Sequence, residues 1–317
     1  MTTTRIKSVA IIGAGTMGPG MAAVFATHSY DTRLMDISET VMEKAKATVE
    51  VVYNVLLSEG FLTEEQIAKG RQNLRFTMSQ AEAVDGVDLV IEAIPEKLDL
   101  KHRFYKEVET QVGKDTILAS NTSGLPITEL AKVCRYPGRV IGMHWSNPPH
   151  IIPVIEIIQG DETSDEAREI LWEVTEDIEM VPVHVKRDIA GFIENRVLYA
   201  VMRECLHLLD EGIATAEDID TVVKWGIGYK LAVIGPMELL DMAGLDIYHS
   251  VASYLNADLS NEAGVSARVQ EKVKSGELGL KTGKGLFGYT PESIPPLMQK
   301  RMKRLLGTKK ILADWLQ

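Results

Sequence analysis

Two residues twelve positions apart, His144 and Glu156, have the types and surroundings of an acid–base pair. His144 follows the apolar run Val140–Met143, and Glu156 lies inside Pro153-Val154-Ile155-Glu156-Ile157-Ile158. A carboxylate in such a run is costly unless a partner satisfies it, and an imidazole is a suitable partner. Accepting one ring N–H would fix the histidine tautomer. It would also free the other nitrogen for a hydroxyl proton and stabilise the resulting imidazolium. Ser123, in Ser120-Asn121-Thr122-Ser123-Gly124, and Asn195, in Gly191-Phe192-Ile193-Glu194-Asn195-Arg196, carry donors suited to a developing alkoxide. Both types are also common in turns and caps, so the residues alone leave that role open.

A second constellation suits a dinucleotide. The apolar run Val9–Ile12 leads into Gly13-Ala14-Gly15-Thr16-Met17-Gly18 and then a helix-compatible stretch from Met21 to Thr27. This is the strand–turn–helix context that a GxGxxG motif requires. Gly13 would permit the sharp turn, Gly15 would let backbone approach a pyrophosphate, and Gly18 would permit close strand–helix packing. Thr16 and Met17 complete the loop, and the helix start would face the phosphates with unpaired N–H groups. Asp36 ends the next strand candidate about twenty residues on, where it can accept from the adenosine ribose hydroxyls. Ile37 and Ser38 follow it rather than an arginine, so the expected cofactor is NAD, not NADP. The alternative for Asp36 is a cap on the following helix.

These residues need a scaffold, and the hydrophobic pattern supplies one. Short apolar runs alternate with helical stretches over the first part of the chain, as in a sheet buried on both faces. Strands are expected at Val9–Ile12, Thr32–Met35, Asp88–Ala93, Thr116–Ser120, Val140–Met143, Val154–Ile158 and Val181–Val185. A helical insertion is expected from Val41 to Ser58, followed by a helix start at Thr63. From Ala190 the strand signal stops, and Asn195–Gly212, Thr215–Trp225, Pro236–Leu255 and Ala263–Ser275 show helical spacing. The expected architecture is an α/β Rossmann-type domain over 1–188, with a mostly parallel doubly wound sheet. An all-α domain for substrate and dimerisation follows over 189–317. A basic cluster at Lys300–Lys310, followed by Trp315 and Leu316, reads as a solvated helix end.

Composition narrows the function further. The chain has 317 residues, 34 Lys plus Arg against 45 Asp plus Glu, and a net charge of −11, which disfavours nucleic acid as a partner. It is 45% hydrophobic and 25% charged, as in a soluble globular protein, with no apolar run of about 18 residues to span a bilayer. Cys134 and Cys205 show no metal-ligand or disulfide spacing, so neither a metal nor a disulfide framework is expected. The amino terminus lacks a signal-peptide pattern, and a cytoplasmic location is expected.

Taken in order and spacing, the segments resemble the 3-hydroxyacyl-CoA dehydrogenase family over almost the whole chain. The matching motifs are Ser-Asn-Thr-Ser ending at Ser123, His-x-x-Asn-Pro at His144, the glutamate at 156, and Gly-Phe-Ile-x-Asn-Arg from Gly191. The resemblance implies an NAD-dependent dehydrogenase in which His144 is the general base, Glu156 orients it, and Ser123 and Asn195 bind the reacting oxygen or its neighbour. It also implies cofactor contacts from Glu96, Lys101, Asn147 and Lys281. Two departures bear on the substrate. The run Trp145-Ser146-Asn147-Pro148-Pro149 and the long segment Trp225–Pro236 look like a branch that acts on small free acids. That branch includes lambda-crystallin, carnitine dehydrogenase and a pyridine-ring dehydrogenase, and the reading leans toward the last. The insertion carries no Lys or Arg from Ala47 to Ala68, a poor handle for the phosphates of CoA. Lys230 is the candidate for a substrate carboxylate, with Arg196 and Arg203 as competitors. The expectation is a homodimeric enzyme of a small hydroxy or oxo acid. A 3-hydroxyacyl-CoA dehydrogenase and a non-catalytic, NADH-binding crystallin-like protein are the alternatives.

Overall fold

The computed structural model describes residues 5–313, and the chain divides into two compact units, one up to Arg196 and one from Val197 onward. Trp315 and Leu316 lie outside the described residues.

The first unit is built on eight strands: β1 (Ser8–Ile12), β2 (Asp31–Met35), β3 (Leu74–Thr77), β4 (Leu89–Glu92), β5 (Ile117–Ser120), β6 (Val140–Trp145), β7 (Val154–Ile158) and β8 (Val181–Val185). They form one sheet in the order β3-β2-β1-β4-β5-β6-β7-β8. All neighbours are parallel except β6 and β7, which are antiparallel. The first six positions have the Rossmann order, whose ligand crevice opens between β1 and β4 at the carboxyl ends. The central strands β4, β5 and β6 are buried along their whole length, which is why they read as continuous apolar runs. The sequence reading missed β3, Leu-Arg-Phe-Thr, because a four-residue edge strand with one exposed face leaves no such run. Pro182 is tolerated because β8 lies at the opposite edge.

After β1 comes helix α1 (Gly18–Thr27), buried at every position. The expected insertion forms helices α2 (Glu39–Ser58) and α3 (Glu64–Asn73), both packed on α1. Thr63 starts α3 with a full capping box, its hydroxyl accepting from Gln66 N while Gln66 Oε1 accepts from Thr63 N. Residues 189–196, expected to open the helical part, pack with the sheet instead. Phe192 is buried in the sheet's apolar core, and the amides of Ile193 and Glu194 donate to Glu156. By contacts the chain divides after Arg196, within the helix Glu194–Asp210.

The second unit is helical. The helix expected over Pro236–Leu255 is broken in two, Pro236–Ala243 and Leu245–Asp258, because Gly244 adopts a φ of +97° that no helical residue has. The helix expected to end at Trp225 instead runs from Ala216 to Val222 and passes into a π-helical turn at Val223–Gly228. A long helix, Ile294–Ala313, contains the basic cluster. Among the described residues of this unit, Ile219 and Leu306 are the buried apolar side chains, while Trp225, Met237, Met242 and Tyr254 are at least 66% exposed.

Candidate active site

The nucleotide crevice is shaped by what the glycines lack. A Cβ on Gly13, whose φ is +113°, would lie 2.5 Å from Ala93 O, and one on Gly18 would lie 2.1 Å from Gly13 O. The turn closes only without those atoms. Gly15 has nothing within 4 Å of its would-be Cβ, so backbone there faces open space. Helix α1 starts with no side-chain cap and no acid in its first turn, leaving N–H groups for an anion. Asp36 is oriented by Ala14 N, which donates to Oδ2 at 2.9 Å, and by Ser38 N, which donates to Oδ1 at 2.9 Å. Ser38, not Asp36, caps α2. Arg33, the cation nearest in sequence, is turned to the carbonyls of Glu82, Ala83 and Asp85 and to Asp31. The turn, the uncapped helix and the acid beyond β2 fit NAD.

His144, next to the end of β6, and Glu156, in the middle of β7, stand opposite each other in the antiparallel register. His144 Nδ1 and Glu156 Oε2 are 2.8 Å apart, and both residues are buried, at 6% and 1% exposure. Glu156 Oε1 accepts from Ile193 N at 2.8 Å and Glu194 N at 3.1 Å. Burial opposes ionisation of Glu156. The His144 hydrogen bond and the amides of Glu194 and Ile193 outweigh it and hold the carboxyl below its usual value. An ionised Glu156 accepts the Nδ1 proton, which leaves Nε2 as the ring's acceptor. The ring packs 5.6 Å from Phe192. The loop after β6 is locked onto α1, since a Cβ on Gly20 would lie 2.6 Å from Pro149 Cγ. Ser146, missed in the sequence, donates its hydroxyl to Glu194, also missed. His144, Glu156 and Glu194 bring ligand-type atoms within 4.8 Å, but the Glu156 oxygens already accept from these N–H donors.

A third group lies at the ends of β4 and β5. Glu96 Oε1 accepts from Thr122 Oγ1, from Ser123 N at 3.0 Å and from Gly124 N at 3.3 Å. Burial again opposes ionisation, and the Thr122 hydroxyl, Lys101 and Ser123 N together hold Glu96 below the usual carboxylate value. Ser123 O accepts from Asn195 Nδ2 at 3.1 Å, so Ser123 and Asn195 do come together. Lys101, expected to touch the cofactor, is 1% exposed and closed in by Glu92 at 2.7 Å and Glu96 at 3.0 Å. Its ammonium reaches the crevice only through Glu96. Glu92 was missed, yet it carries the signal that singled out Glu156, a lone carboxylate in the apolar run before Ala93.

Thr16 and Asn147 are exposed, Thr16 within the glycine turn and Asn147 just after β6, and Met17 is half-buried at the start of α1. Lys230 and Lys281 belong to the second unit and are exposed. Lys230 follows the π-helical turn, and Lys281 lies in a loop pinned by the bridges Gly279–Lys284 and Lys284–Gly288.

Residues 8–189 match the 3-hydroxyacyl-CoA dehydrogenase NAD binding domain, and residues 191–289 match the 3-hydroxyacyl-CoA dehydrogenase C-terminal domain. The chain is 47% identical over 307 residues to a 5-formyl-3-hydroxy-2-methylpyridine 4-carboxylate 5-dehydrogenase of Mesorhizobium japonicum, covering 97% of this chain and 98% of the relative. A crystal structure of an enzyme of that name, described as an NAD+ dependent dismutase, superposes with a TM-score of 0.93 at 47% identity, covering 97% and 99% of the two chains. A probable 3-hydroxybutyryl-CoA dehydrogenase of Deinococcus radiodurans is 34% identical over 281 residues, covering 88% of this chain and 99% of the relative. With both of its domains matched, the chain belongs to the 3-hydroxyacyl-CoA dehydrogenase family and is an NAD-dependent dehydrogenase.

Proposed function

We propose that this dehydrogenase acts on a small carboxylate-bearing alcohol or aldehyde rather than on a CoA ester, with a ring-bound formyl or hydroxymethyl group as the favoured reacting centre. The observation that carries the reading is the likeness, across 97% of the chain, to an enzyme named for a formyl pyridine carboxylate, at 47% identity against 34% for the hydroxybutyryl-CoA relative. The α2–α3 insertion supports it. After a stretch without Lys or Arg, the first cations are Lys69 and Arg71, and they are paired with Glu65 at 3.0 Å and Glu50 at 2.6 Å. A ligand with several phosphates would have to compete with those acids.

In this mechanism His144 Nε2 takes the proton of the substrate hydroxyl, or of the hydrate formed when water adds to an aldehyde. Glu156, ionised and held by its amides, stabilises the imidazolium without taking the proton itself. Ser123 and Asn195 hold the reacting oxygen, and Gly13, Gly15, Thr16, Met17, Gly18, Asp36, Glu96, Asn147 and Lys281 hold the cofactor. Bound NAD would supply the hydride acceptor. Lys230 holds the substrate carboxylate, so Lys230→Met would raise KM more than it lowers kcat. The reading includes a homodimer, because a helical unit with so few buried apolar side chains needs a cover. Two free thiols, Cys134 and Cys205, suit a cytoplasmic setting.

The test is a panel assayed by NADH absorbance: 5-formyl-3-hydroxy-2-methylpyridine 4-carboxylate and small hydroxy acids with NAD, and acetoacetyl-CoA with NADH. The expected result is a kcat/KM for a free acid at least ~100-fold above that for the CoA ester, about 2.7 kcal/mol of selectivity. Efficient CoA-ester turnover overturns the substrate assignment. NADH binding without any turnover overturns the catalytic one.

A further inference from the structure

We propose that Glu92 is a positioning residue, holding through Lys101 and Glu96 the backbone loop that presents Ser123 and Asn195 to the reacting oxygen. The proposal rests on the reading above that these two residues hold that oxygen.

Glu92 ends β4, in register with Ile12 of β1 on one side and Ser120 of β5 on the other. It is 0% exposed, and its oxygens accept from Ile94 N at 2.9 Å, Ser120 Oγ at 2.7 Å and Lys101 Nζ at 2.7 and 2.9 Å. Two routes run from it to one loop. On the first, Lys101 spans to Glu96, which takes the amides of Ser123 and Gly124. On the second, Ser120 Oγ, oriented by Glu92, accepts from Thr122 N at 3.2 Å. The loop then passes the constraint on, because Ser123 O takes the Asn195 amide.

The energetics argue for a role beyond stability. Removing two charges from water is expensive, and a well-packed apolar pair of similar volume often stabilises a fold as well or better. An apolar pair at 92 and 101 could fill the space between the end of β4 and the helix Leu98–Val108. It could not hold the half-exposed Glu96 carboxylate with one oxygen turned to Lys101 and the other to the loop amides. Burial pushes the Glu92 carboxyl up, and the Lys101 ammonium and the Ser120 hydroxyl work against that push. The arrangement therefore depends on Lys101 remaining between the two acids.

Three variants separate positioning from stability: Glu92→Gln, Lys101→Met and the double variant. Hydrogen exchange by mass spectrometry on the peptide covering 122–124 is expected to quicken at least ~10-fold in Glu92→Gln, while the peptide covering 13–18 is unchanged. With 5-formyl-3-hydroxy-2-methylpyridine 4-carboxylate and NAD, kcat is expected to fall by ~10-fold or more and KM to change by less than ~3-fold. The double variant removes both buried charges and is expected to melt close to wild type, yet to keep the fast exchange and low kcat. Unchanged exchange at 122–124 in Glu92→Gln overturns the proposal, as does recovery of kcat together with thermal stability in the double variant. Exchange needs no substrate, so a wild-type enzyme inactive on the pyridine aldehyde would sink the proposed function and leave this result to be judged separately.

Discussion

His144 and Glu156 are cross-strand partners in the β6–β7 pair, directly opposite in the antiparallel register and joined at 2.8 Å. Directly opposed residues share a face of the sheet, so the pairing of the strands alone points both side chains the same way. A register slip of one residue would turn Glu156 to the other face. The chemistry thus depends on the length of the loop 146–153, which sets that register, and on Pro149, which anchors the loop against Gly20.

If this pair moves the substrate proton, His144→Ala should lower turnover at neutral pH by roughly 10²–10⁴-fold while leaving the NADH Kd near wild type. Glu156→Gln keeps the size of the side chain but removes the charge that stabilises the imidazolium, and should fall within the same rough range of 10²–10⁴. Steady-state kinetics and NADH fluorescence titration read both. Wild-type turnover in His144→Ala would place the base elsewhere, and in Glu156→Gln it would show that the carboxylate charge is not needed.

Acid should destabilise the fold in a defined window. The carboxyls of Glu156, Glu96 and Glu109 are each held below the ordinary value of 4.5, their hydrogen-bond donors and neighbouring cations outweighing the burial that opposes ionisation. A group whose folded pKa is depressed contributes stability that is fully present above the unfolded value and is lost as pH falls through the folded one. The stability these three carboxyls contribute should be intact down to about pH 5.5 and decline below about 4.5. The decline should be shallower in Glu156→Gln. Parallel curves for wild type and variant would show that the Glu156 interactions do not favour its charge.

Substituting the glycines should separate folding from binding. Gly18→Ala places a methyl group on the Gly13 carbonyl and should leave little folded protein. Gly15→Ala enters open space at a permitted φ, so stability should stay within about 0.5 kcal/mol of wild type. The same methyl group would stand where the pyrophosphate approaches, raising the NAD Kd by about tenfold or more. Tight NAD binding by a folded Gly15→Ala protein would remove the pyrophosphate from that turn.

Light scattering should give a mass of twice 35.0 kDa for the wild-type chain. Trp225 and Met242, each 74% exposed, belong to the apolar surface of the helical unit, and Trp225→Glu with Met242→Glu should weaken association and lower the melting temperature together. A wild-type mass of one chain would refute the dimer.

Periodic and local features were legible in the sequence. Seven of the strands came from short apolar and β-branched runs, most plainly β4, β5 and β6, because a strand buried on both faces has no polar positions to interrupt it. The glycine turn was legible because Gly13 and Gly18 leave out a Cβ that would clash and Gly15 leaves backbone open to a ligand, and Glu156 because a lone acid in an apolar run must have a partner. The tertiary structure decided which charges meet. Lys101 turned out to be enclosed by Glu92 and Glu96, Glu194 to be held by Ser146, and residues 189–196 to pack with the sheet through Phe192 and the amides on Glu156. These partners are set by strand register and by loops that return from distant parts of the chain, and neither leaves a periodic trace. The positive φ of Gly244 belongs with them: a glycine within a helical pattern signals that the backbone can break there, and only the packed chain determines whether it does.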